Sequence, residues 1–168
     1  MMEKIRTIAG ILALFWMCVI FAFSAQKEEE SSEVSEAFSY RIVSSTGMFF
    51  HLNLDEEELR RIANAIESTV RKAAHMTEFG ILSVLVYVWL GKWQTAAGKK
   101  MSIAAIFSIL YAASDEFHQL FVPGRAGSIR DVIIDGTGAI LGVYIFVGVK
   151  KCISFLWNRR KSREIKLS

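Results

Sequence analysis

Arg71, His75 and Glu78 recur at i, i+4 and i+7 within a largely apolar stretch. That spacing puts a guanidinium, an imidazole and a carboxylate on one helical face. Asp115, Glu116 and Gln119 close a second apolar run, with Asp115 and Gln119 sharing a face at i, i+4. Asp131 and Asp135 open a third, on the same face as Gly138 and Gly142, and Arg125 follows the Pro123-Gly124 turn between the two runs. These are the residue types of proton-transfer chemistry beside an anion. His75 is the best general base or nucleophile, oriented by Glu78 or an aspartate, and Asp115, Glu116 and Asp135 are its candidate acid/base partners. Arg125 suits a phosphate oxygen, because guanidinium matches planar oxyanions. Arg71, Gln119 and Asp131 are the other candidate binding residues. A second use of Asp115, Glu116 and Asp135 is to hold Mg²⁺ together with substrate phosphate, although no motif demands a metal.

Each residue also has a structural reading. His75 and Glu78 alone would be a hydrogen-bonded pair steadying a helix end. Asp131 alone would be an N-terminal charge favoured by the helix dipole, Arg125 a snorkelling anchor, and Gln119 an interhelical bridge. His51 and His118 have no evident partners and are taken as structural. The set weighs more than its members, because an ionisable group near hydrocarbon costs roughly 2.5–3.5 kcal/mol on insertion scales.

The positioning elements follow from the apolar pattern. The 168 residues are 52% hydrophobic with one proline, which is rich for a soluble domain. Four segments reach the ~20 residues a bilayer crossing needs, at about 5–24, 73–90, 101–121 and 128–149. The expected fold is therefore all-α: one polytopic membrane domain over 1–168, four transmembrane helices in a bundle. The first segment has signal-peptide features in Lys4, Arg6, Ala22 and Ser24, but its apolar run exceeds a usual h-region of ~7–15 residues, so a retained anchor is expected. Lys and Arg gather before the first segment, at Lys92, Lys99 and Lys100, and from Lys150 to Lys166, including Lys161 and Arg163. The positive-inside rule then makes both termini and the basic tail 150–168 cytoplasmic, and the loop 25–72 extracytoplasmic.

Within that loop, Asn53 is a plausible N-cap before Asp55–Glu58. Leu59, Ile62, Ala63, Ile66 and Val70 form a helical stripe, expected to lie on the outer membrane surface and to run into the second span. Residues 34–43 read as a second short helix. Ser128 and Asp131 match a capping-box start, and the Gly138/Gly142 pair lets another helix approach closely. Under this topology all four spans bring polar groups to one side at similar depth, and their inner halves carry almost none.

Cys18 and Cys152 have no metal-binding or disulfide-framework spacing. A net charge of +3 without a basic aromatic stripe gives no nucleic-acid footprint, and no P-loop is present.

The motifs Arg71-Lys-Ala-Ala-His75-Met-Thr-Glu78, Ser114-Asp-Glu-Phe-His-Gln119, Phe121-Val-Pro-Gly-Arg125 and Asp131 through Gly138, with Phe23-Ser-Ala-Gln26, resemble the VanZ family from the first span to the fourth. The resemblance implies a small multi-spanning protein of the bacterial cell membrane, in a family named for association with teicoplanin resistance. It supplies no settled reaction. The leading expectation is an outer-leaflet site acting on a phosphate-bearing lipid or lipid-linked cell-envelope precursor. The alternative is a non-catalytic membrane factor that binds envelope lipid or a partner protein. A transporter ranks last, because polar groups on one side make no path across a bilayer.

Overall fold

The computed structural model describes the backbone of residues 2–167 and the side chains through residue 160. The side chains of Lys161, Arg163 and Lys166, part of the expected basic tail, lie outside the described residues. Among the described residues the chain is helical throughout, without strands: α1 (Met2–Ser24), α2 (Glu28–Phe49), α3 (Glu56–Trp89), a 3₁₀ turn at Leu90–Lys92, α4 (Ala97–Gln119) and α5 (Ile129–Leu167).

Three helical stretches, Met2–Ser24, Glu56–Lys92 and Ile129–Arg160, are long and apolar enough to cross a membrane. α4 has the length, at ~35 Å, but Ser114, Asp115, Glu116, His118 and Gln119 make its last turns too polar to join them. The outside of the bundle is apolar: Ile8, Leu14, Phe15, Ile106, Leu110, Ile140 and Ile145 are all exposed. Its interior combines small residues, among them Ala9, Ala13, Ala104, Ala112, Ala139, Ser83 and Ser108, with the larger buried side chains of Ile20, Phe79 and Leu82. An apolar outer surface with small residues frequent at the helix contacts fits helices that pack in lipid.

The closest backbone approach joins α3 to α5. A Cβ on Gly142 would lie 2.6 Å from the Gly80 Cα, and one on Gly138 would overlap the Met76 backbone. The expected close approach at Gly138 and Gly142 is thus present, with Gly80 as its counterpart. Two long-range bonds fix α1: Trp16 Nε1 donates to the Glu78 carbonyl at 2.9 Å, and Tyr111 donates to the Met17 carbonyl at 2.7 Å. Each contributes about 1 kcal/mol.

Residues 25–72 depart most from expectation. α2 spans 22 residues rather than a short helix over 34–43. It packs against α3 through the small stripe Ser35, Ser39, Val43 and Gly47. That stripe has almost no hydrophobic signal, which is why the pattern understated the helix. α3 begins at a capping box of Asp55 and Glu58, not at Asn53: Asp55 Oδ1 accepts from the Glu58 amide at 2.8 Å, and Glu58 Oε2 accepts from the Asp55 amide at 3.2 Å. The stripe helix runs into the second span as expected. α3 runs without a break for 34 residues, or ~51 Å, against ~30 Å of hydrocarbon. Its stripe residue Ala63 is fully buried, and Ser35 donates to Glu67 Oε1 at 2.6 Å. The apolar stripe therefore has a protein partner, α2, and the two helices form a hairpin standing on the bundle.

At the opposite end, Arg6, Lys100 and Lys150 line one cleft, so basic residues from the N-terminus, the α3–α4 link and α5 share an end as the charge pattern predicted. α5 continues as helix into the basic tail instead of stopping near residue 149.

Candidate functional site

At the hairpin end, α3, α4, α5 and the turn after α4 enclose a cavity of about 290 Å³. Seven of the nine residues singled out from sequence line it: Arg71, His75, Glu116, Gln119, Arg125, Asp131 and Asp135. Glu78 and Asp115 stand behind its wall.

α3 delivers Arg71, Lys72 and His75 from five consecutive residues, little more than one helical turn. His75 Nδ1 lies 3.4 Å from Glu78 Oε2, one turn further into the bundle. Arg71 Nε is 3.8 Å from Glu67, and its Nη1 donates to Ser32 Oγ at 3.2 Å. This arginine therefore tethers α2 to the cavity rim. Lys72 reaches across to Asp131 Oδ1 at 3.6 Å, so Asp131 is held in an ion pair.

α4 contributes buried carboxylates. Asp115 is 4% exposed; Gln119 Nε2 donates to its Oδ2 at 3.3 Å, while Oδ1 has no hydrogen-bond partner. Ser24 at the end of α1 is near enough to influence Asp115 without meeting hydrogen-bond geometry. Glu116 has a structural engagement that its sequence position did not announce: its Oε1 accepts the backbone N–H of Ser128. Ser128 Oγ accepts from the Arg130 amide at 3.2 Å. The capping box read at Ser128 and Asp131 is thus only half present. The hydroxyl caps α5, but the reciprocal carboxylate comes from α4 and not from Asp131.

α5 supplies Asp135 one turn inward of Asp131. Asp135 is 5% exposed and lines the cavity. Among the described residues it makes neither a hydrogen bond nor an ion pair, although His75, Asp115 and Glu116 lie within electrostatic reach. A buried carboxylate without a protein donor is costly, but neither Asp135 oxygen is fully enclosed, so the cavity itself solvates it, whereas Asp115 Oδ1 and Asp131 Oδ1 are enclosed without a hydrogen-bond partner.

Arg125 arrives on the turn after α4, where Gly124 has φ +82°, a conformation glycine adopts without penalty. Its backbone N–H donates to the Val122 carbonyl at 3.1 Å and its Nε to the Gln26 carbonyl at 3.3 Å. The turn therefore ties the end of α1 to the cavity mouth. Burial, together with the nearby Arg71 guanidinium, pulls the Arg125 pKa below its ordinary value. Two guanidinium groups near enough to oppose each other's charge are stabilised by an anion between them.

No three His, Cys, Asp or Glu side chains among the described residues converge closely enough to hold a metal ion by themselves. His118 packs on Phe21 with ring centroids 4.5 Å apart, and His51 sits in the hairpin loop at φ 53°. Neither joins the cavity. Sequence reasoning missed Glu28, which begins α2, touches the space above Gly124 and lines the cavity. Glu28 opens the acidic run Glu28–Glu30, and no periodicity sets it apart from its neighbours.

Compared with known proteins, the chain is matched by a family model described as VanZ/LLP1 over residues 9–153, most of its length. No curated protein and no solved structure matches it.

Proposed function

The chain belongs to the VanZ/LLP1 family, and from that premise we propose that it acts on a phosphate-bearing head group of a membrane lipid or lipid-linked cell-envelope precursor. In this reading the protein crosses the bacterial cell membrane four times, with both termini cytoplasmic and the hairpin outside. α4 counts as a crossing because Asp115, Glu116 and Gln119 are buried within the bundle, while Ile103, Ile106, Phe107 and Leu110 face outward. A helix that hides its polar groups inward presents lipid with an apolar surface. The basic cleft of Arg6, Lys100 and Lys150 then faces the cytoplasm, and the cavity opens at outer-leaflet head-group depth.

The observation that carries the reading is the juxtaposition of two arginines, a histidine and an unpaired buried aspartate in one cavity. Arg71 and Arg125 hold the phosphate oxygens. His75, held by Glu78, takes a proton from a water or head-group hydroxyl. The deprotonated oxygen bonds to phosphorus as the phosphorus–oxygen bond to the leaving group breaks, Asp135 gives its proton to the leaving oxygen, and the proton on His75 returns to Asp135 through water. Glu116, Asp115 and Asp131 position these groups through the contacts described above.

Lipid mass spectrometry of membranes from cells with and without the protein tests the proposal. The expected result is a shift in one phosphate-bearing lipid or cell-wall precursor that is lost in His75→Ala and Asp135→Asn at normal membrane abundance. An unchanged lipid and precursor profile overturns it. That result would favour the non-catalytic reading, supported by the Lys72–Asp131 pair and the Glu116–Ser128 cap, which make much of the cluster structural. Teicoplanin susceptibility, measured on the same strains, reports whether this copy affects access of the drug to the envelope.

A further inference from the structure

Beside the polar cavity runs a second depression of about 180 Å³, between the end of α1, α2 and α3. Its body is apolar: Phe23, Val34, Phe38, Val70 and Ala74. Gln26, Ser31, Ser35 and Glu78 lie around it. Arg71, His75 and Arg125 line both this groove and the polar cavity. The two spaces therefore share one wall, and that wall carries the anion-binding cations.

We infer that the groove binds a hydrocarbon chain of the same ligand whose phosphate occupies the cavity, so that α2 is a chain-binding wall and the ligand lies lengthwise across Arg71 and Arg125. The inference rests on the proposed phosphate-bearing lipid and adds which protein surface takes its tail. Three observations support it. The groove shares Arg71 and Arg125 with the polar cavity, so an apolar tail and an anionic head meet complementary surfaces side by side. Arg71 is hydrogen-bonded to Ser32, so the groove wall and the head-group contact move together. Val34 and Phe38 are exposed on α2 one helical turn apart, although α2 already has its packing stripe against α3. At 180 Å³ the groove is smaller than sites that enclose a whole drug-sized ligand. It suits part of one chain, with any further chain left in the bilayer.

The test uses the full chain in nanodiscs and a dodecyl phosphate bearing a mid-chain diazirine. Photolysis is expected to label peptides around Val34–Phe38 and Val70–Ala74, with labelling competed by unlabelled dodecyl phosphate. Arg125→Ala should weaken the saturable labelling about tenfold, the loss expected for one charge-assisted contact. Ala74→Leu, which fills the groove, should abolish labelling of α2. Phe38→Ala, which widens it, should shift preference toward bulkier chains, so the inference survives a folding failure of either variant. A separate arm uses glycerol phosphate, which has no chain, to protect His75 from diethyl pyrocarbonate. Protection combined with unsaturable labelling of only the outward faces of α1 and α4 overturns the groove and leaves the proposed function standing. Loss of both protection and labelling overturns both. Equal groove labelling by the same probe lacking its phosphate overturns the claim that head and tail belong to one ligand.

Discussion

The two halves of the α3–α5 contact are built on opposite rules. Away from the hairpin, Gly80, Gly138 and Gly142 bring backbone against backbone and leave no room for a side chain. One to two turns toward the hairpin, the same two helices hold apart to admit His75, Lys72, Asp131 and Asp135, and a cavity opens between them. The difference lies in side-chain size, not helix geometry. Glycine allows backbone contact in one half, and long polar residues line the cavity in the other. The packed half fixes the geometry of the open half.

Breaking the packed half should produce the largest effect. Gly142→Leu inserts a side chain where even a Cβ would meet Gly80, and overpacking of this kind costs about 3 kcal/mol or more. The expected result is loss of monodisperse protein by fluorescence-detected size exclusion; a normally eluting, thermally stable Gly142→Leu would refute the clamp. Arg125→Ala strikes the open half instead. It should leave elution and thermal stability near normal while lowering the lipid change about a hundredfold, the scale expected for a lost transition-state contact. A comparable loss of protein yield would show that Arg125 serves the fold through Gln26. Glu116→Ala lies between the two. Leaving the Ser128 N–H without its acceptor should cost about 1–2 kcal/mol of thermal stability, with activity falling only as far as folded protein falls. An unaffected melting temperature would assign Glu116 to the cavity alone.

The smallest effect belongs to the hairpin. Glu56 is exposed, and hydrogen bonds from Tyr40 and Arg60 hold its pKa below the ordinary carboxylate value. A depressed carboxylate stabilises above its unfolded pKa, and the contribution disappears as pH falls through the lower folded value. At a screened surface this contribution is slight. Tyr40→Phe should therefore slightly reduce hairpin protection in hydrogen exchange near neutral pH and show no difference from wild type in acid.

The same contrast explains what could be read from the chain alone. The spacing of Arg71, His75 and Glu78, and of Asp131, Asp135, Gly138 and Gly142, survives in the structure because helical periodicity is local and α3 and α5 are regular there. Seven of nine candidate residues meet in one cavity because α4 ends, α5 begins and the middle of α3 passes through at the same level of the bundle. The hairpin was less legible. α2 packs through Ser35, Ser39 and Gly47, which look like loop residues in a hydrophobicity pattern. Asp55 rather than Asn53 caps α3, because Glu58 lies three residues after Asp55 and completes the reciprocal pair. Glu116 capping α5, and a groove bounded by residues from α1, α2 and α3, are tertiary facts with no one-dimensional signature. α4 showed how a polar tail can mask a helix whose outward surface is apolar.

The glycine contact also sets the mechanics of the site. Gly80 lies five residues from His75 along α3, about 7 Å, and Gly138 lies three residues from Asp135 along α5, about 4–5 Å. The start of α3 at Glu56 lies ~36 Å from the same point. If the two helices rock about that fulcrum, the hairpin travels far on its long arm while His75 and Asp135 barely separate on their short ones. The hairpin end can move widely while His75 and Asp135 keep their spacing.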